Sequence, residues 1–207
     1  MALNNKLLIL LARTISDLFS PFYLPTVAFT ALFAYSYLQL LPVAYKLAFV
    51  GIVFVFTAAL PRFNIFLYQK INGLTHRQMG ARENRYVPFV LSILSYAVLF
   101  YIMGRFHLPR FAVGVIVAAL AVQVACFLLN PWIKLCIHAT GSGGLIGALL
   151  AFAFIFHFDP TFWLCVAILL SGLVCTARLV LRQQRLSELG LGTLVGLLCG
   201  FFCVLLV

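Results

Sequence analysis

Along this chain, long apolar runs alternate with short polar breaks. Seven runs approach or exceed the roughly 20 mostly apolar residues that a helix needs to cross a bilayer. They fall at about 22–40, 44–69, 87–104, 110–129, 132–157, 161–182 and 189–206. Seven spans leave little sequence for anything outside the membrane. The pattern therefore predicts one membrane domain over residues 1–207, an all-α bundle of about seven transmembrane helices. Ahead of the first run, Leu8, Leu11, Ile15, Leu18 and Phe19 recur at helical spacing, with Arg13 and Asp17 off that face. Residues 1–20 thus read as an amphipathic helix lying in the membrane interface. Arg13 and Asp17 also break the short apolar run, and no small-residue cleavage site follows, which argues against a cleavable leader.

Composition sharpens this picture. The chain is 65% hydrophobic and 9% charged, with a mean hydropathy of +1.14. A water-soluble domain of that make-up would present one continuous apolar patch. Six cysteines, Cys126, Cys136, Cys165, Cys175, Cys199 and Cys203, lie in or beside apolar segments without a C-x-x-C pair. They read as small buried hydrophobes rather than disulfides or metal ligands. Trp132 and Trp163 stand near the starts of two spans, where aromatic rings favour the membrane–water boundary. Gly143 and Gly147 in the fifth run, and Gly192, Gly196 and Gly200 in the last, have the four-residue spacing of close helix packing. The spacing predicts that these two helices meet.

The charges are few and grouped. Fourteen Lys/Arg stand against four Asp/Glu, and half of these fall in three clusters: His76 to Arg85, Lys134 with His138, and Arg178 to Glu188. Seven spans put all three at one side, and the positive-inside rule makes that side cytoplasmic. The expected location is a cytoplasmic membrane, the inner membrane of a bacterium. Charge at the edge of hydrocarbon is costly, so a convergent, mainly cationic set marks a site for an anion such as phosphate. Arg178, Arg182 and Arg185 are spaced to share one helical face. Gly141-Ser142-Gly143-Gly144 lacks the Gly-Lys-Ser/Thr of a nucleotide loop. No His, Cys or carboxylate pair has metal-ligand spacing, and no cofactor is implied. Nucleic acid is excluded as a partner, because the basic residues sit at membrane edges. The sequence specifies no oligomeric state.

The order and spacing of the clusters resemble the type 2 phosphatidic acid phosphatase superfamily over residues 70–200. Ala177-Arg178, then five residues, Gln184, three residues and Glu188 are similar to that family's third motif, S-R-x5-H-x3-D. Lys134 to His138 occupies the place of P-S-G-H. Arg82-Glu83-Asn84-Arg85-Tyr86-Val87-Pro88 resembles a loose form of K-x6-R-P.

The resemblance implies a six-helix core and a site for a phosphorylated membrane lipid or isoprenoid. Arg82, Arg85, Lys134 and Arg178 would bind the phosphate. His138 takes the place of the general acid, Gln184 that of the nucleophile, and Glu188 that of the orienting carboxylate. A carboxamide has no basic lone pair with which to attack phosphorus. Catalysis is therefore expected to be impaired while binding survives. Ala177 for Ser, Leu135-Cys136-Ile137 for P-S-G and Gln78 for the lysine are further departures. His76 reads as a solvated loop histidine, and His107 and His157 fall on the opposite side. The alternative function is a small transporter or flippase for an anionic lipid or solute. Inverted repeats would favour it, and none is visible.

Overall fold

The computed structural model describes residues 2–35, 40–73, 86–105, 110–133, 135–157 and 159–207. These residues form helices α1 (Ala2–Leu18), α2 (Leu24–Tyr35), α3 (Val43–Asn72), α4 (Tyr86–Arg105), α5 (Arg110–Leu129), α6 (Ile137–Phe156), α7 (Thr161–Val180) and α8 (Leu186–Leu206), with no strand among them. Six, α3 to α8, are long and apolar enough to cross a membrane. The first expected span appears in α2 as a shorter apolar helix, Leu24–Phe33. Residues 36–39 lie outside the described set.

Successive helices reverse direction, so the starts of α4, α6 and α8 gather at one end with the close of α1, α3, α5 and α7. We call this the site end. The far end holds His157, which closes α6 in a left-handed conformation, and Asp159. The hydroxyl and backbone N–H of Thr161 donate to the Asp159 carboxylate and hold it below its usual range.

The tightest seam joins α6 to α8. Lipid supplies no hydrophobic drive between helices, so close van der Waals packing must hold them. A Cβ added at Gly196 would overlap the Thr140 carbonyl, one at Gly147 the Leu197 carbonyl, and one at Gly200 the Gly144 carbonyl. The two glycine ladders meet as the spacing predicts, and the helices run parallel. Their first turns, carrying His138 and Glu188, are thereby brought to the same end.

A second feature shapes α3. Pro61 has no N–H for the carbonyl of Thr57, its partner four residues back. The helix relaxes there into a π-turn over Val55–Ala59. The buried hydroxyl of Tyr96 on α4 donates to the Thr57 carbonyl at 3.4 Å. Tyr96→Phe should destabilise the bundle by about 1–2 kcal/mol, since a buried acceptor loses a donor. Pro61→Ala restores the helical N–H, so in that background the same substitution should cost less. Thermal melting of the two single variants and the double variant checks this; equal losses in both backgrounds would contradict the link.

At 30 residues, α3 is about 45 Å long, well beyond the roughly 30 Å hydrocarbon core. Its final turns carry Gln69, Lys70 and Asn72. The Arg62 guanidinium lies 4.4 Å from the Tyr23 ring centre, tying α3 to the turn before α2. Helix α1 packs on α7 through a stripe of small residues. Ala12 and Ser16 are buried, while Leu11 and Leu18 face outward.

Candidate functional site

The last turn of α7 builds the site. Leu181 still donates to the Ala177 carbonyl, but Arg182 adopts a left-handed conformation and ends the helix. The chain then turns through Gln183 and Gln184 to Arg185, where α8 begins. The backbone N–H of Arg185 donates to Glu188 Oε2 at 3.2 Å, an N-terminal cap that also sets a carboxylate at the positive end of the helix. The expectation that Arg178, Arg182 and Arg185 share one helical face is therefore corrected. The left-handed turn at Arg182 separates them.

Arg178, half-buried, gathers three neutral partners. Its Nη2 lies 3.0 Å from His138 Nδ1 on α6, and Nη1 donates to Ser16 Oγ on α1 at 3.2 Å. Nη1 also donates to Gln183 Oε1. Arg178 Nε and Gln184 Oε1 are buried without a hydrogen-bond partner among the described residues. A guanidinium is a donor only, so His138 Nδ1 must accept and its ring proton sits on Nε2. Within this arrangement His138 is a neutral imidazole that orients Arg178. Donating a proton as a general acid would require Nδ1 to be protonated too, and the Arg178 contact to open.

No carboxylate lies within ion-pair distance of Arg178 among the described residues. Removing a cation from water is costly, and hydrogen bonds to Ser, Gln and His offset only part of that cost. A phosphate oxygen meeting Nε and the Nη groups would supply the missing charge.

His138 and Arg178 come together as the sequence predicts, with Gln184 beside them in the chain. Glu188 is occupied as the cap of α8 and makes no hydrogen bond to Gln184 among the described residues. Arg82, Arg85 and Lys134 lie outside the described residues, as do His76 and His107. His157 stands at the far end, opposite His138. Sequence reasoning missed Ser16 and Gln183. Ser16 had a legible signal, since Ala12, Ser16 and Ser20 repeat at four-residue spacing like the glycine seams. Gln183 had none, because its reach to Arg178 depends on the left-handed turn at Arg182.

Inside the bundle lies a cavity of about 990 Å³ bounded by α2, α3, α4, α5, α6 and α7. It begins at the site end beside Pro21, Ile137 and Gly141 and reaches Phe156 and Trp163 at the far end. At 100° per residue, His138 falls on the same face of α6 as the cavity-lining residues. Against this geometry, comparison with protein-family models, curated proteins and solved structures finds no match for the chain.

Proposed function

We propose that this is an integral membrane protein of the lipid-phosphate phosphatase type, which binds the phosphate of a phosphorylated membrane lipid at Arg178. The observation that carries this reading is the half-buried Arg178 guanidinium, oriented by His138, Ser16 and Gln183 and lacking a carboxylate partner among the described residues. Arg82, Arg85 and Lys134, which lie outside the described residues, are the further phosphate ligands of this reading. In this reading α2 makes a seventh crossing, α1 lies in the interface, and the site faces the cytoplasm.

Turnover is impaired, because Gln184 stands where a nucleophilic histidine is required. An enzyme that has lost its covalent nucleophile keeps only the catalysis of positioning and electrostatics. Phosphate release from lipid phosphates and isoprenoid phosphates should accordingly be slow or absent, while binding persists. Gln184→His should raise phosphate release, with Glu188 four positions on as the orienting carboxylate. Robust release by the unaltered protein, lost in His138→Ala but indifferent to Gln184→Ala, would overturn the assignment of position 184.

A further inference from the structure

The cavity beside the cationic site is informative in its chemistry and its height. No charged side chain lines it among the described residues, and its few polar residues include Ser92, Tyr96 and Gln123. Two of these are already engaged. Tyr96 donates to the Thr57 carbonyl and is hydrogen-bonded to Gln123. An aqueous path for an ion or polar solute would need groups that replace hydration water, and this lining offers few. It suits hydrocarbon.

Its height narrows the occupant further. From Ile137 to Phe156 along α6 is about 28 Å, close to the full hydrocarbon thickness of a bilayer. Each leaflet contributes only about half of that thickness, about 15 Å. Val27 on α2 and Trp163 on α7 line the cavity and keep about half of their surface accessible.

We propose that the cavity receives a hydrocarbon chain longer than one leaflet, whose phosphate rests at Arg178, so that the protein selects its lipid by chain length. The proposal rests on the phosphate reading of Arg178 and adds the class of lipid. A chain shorter than one leaflet leaves the far half without its contacts, whereas a longer one packs against the walls down to Phe156.

Ala148 on α6 and Ala119 on α5 line the cavity about 16 Å and 15 Å from the site end. Tryptophan at either position closes the channel at mid-depth. The test measures binding to the full chain in phosphatidylcholine nanodiscs. The probes are farnesyl phosphate, a polyprenyl phosphate longer than one leaflet, the matching polyprenol and dioleoyl phosphatidic acid. The long polyprenyl phosphate should bind at least about ten-fold more tightly than farnesyl phosphate, because only the long chain makes van der Waals contacts with the cavity walls down to Phe156. Ala148→Trp and Ala119→Trp should each collapse that ratio towards unity. Equal binding of long and short chains, tightest binding of the diacyl lipid, or a ratio unmoved by both tryptophans would overturn the proposal. The phosphate reading fails separately: the polyprenol would then bind as tightly as its phosphate, and Arg178→Ala would change neither.

Discussion

Gly196→Leu should abolish the folded protein, and Gly196→Ala should already damage it severely. At this position α8 lies so close to α6 that even a methyl group meets the Thr140 carbonyl and the Gly144 backbone. Backbone atoms cannot rotate away as a side chain can, so the helices must separate along the seam. Overpacking a flexible core costs about 1–3 kcal/mol. A backbone-limited site belongs at or above the top of that range, which corresponds to a melting temperature lower by about 6–12 °C for a chain of this size. Gly190→Ala is the control, since a Cβ there meets nothing within 4 Å. It should be neutral or slightly stabilising, because alanine is the better helix former. Melting in detergent, read by size-exclusion recovery, checks both. If Gly196→Ala melts like Gly190→Ala, the close parallel pairing of α6 and α8 is wrong.

Arg178→Ala should weaken binding of a phosphorylated lipid by tens-fold. Charge-assisted hydrogen bonds contribute on the order of 2 kcal/mol, and about 1.4 kcal/mol is a ten-fold change in affinity. Arg178→Lys should recover only part of the loss, since an ammonium keeps the charge but not the planar fork that also engages His138. Arg110→Ala, at the far end, should leave binding unchanged. His138→Ala should cost several-fold, because it frees Nη2 without removing the charge. Equal losses from Arg178→Ala and Arg110→Ala would place the anion elsewhere.

Much of the architecture was legible in the sequence, because a membrane punishes exceptions. Long apolar runs must be helices there, since no water is present to satisfy an unpaired backbone. The glycine ladders announced the α6–α8 contact for a similar reason, as only small residues allow helix backbones to touch. The pairing of His138 with Arg178 came from the same logic, once both helix ends were placed on one side.

The path of the chain between helices was beyond the reach of the pattern. Arg178, Arg182 and Arg185 look like one cationic face at helical spacing, yet the helix stops at Val180 and the left-handed Arg182 redirects the chain into α8. That turn delivers Gln183 to Arg178 and turns Glu188 into a cap. The role of α1 was hidden differently. An amphipathic pattern emphasises large apolar residues, whereas Ser16, on the small-residue stripe, is the one that reaches the site. The cavity was not legible at all, being a property of packing among six helices and carried by no motif.

The central claim is that Arg178 holds a phosphate that belongs to a lipid. Native mass spectrometry of the full chain tests it most directly, after release from nanodiscs containing equal amounts of a polyprenyl phosphate and its polyprenol. The unaltered protein should retain the phosphorylated species in clear excess, and Arg178→Ala should retain the two equally. Equal retention by the unaltered protein, or an excess that survives Arg178→Ala, would contradict the account.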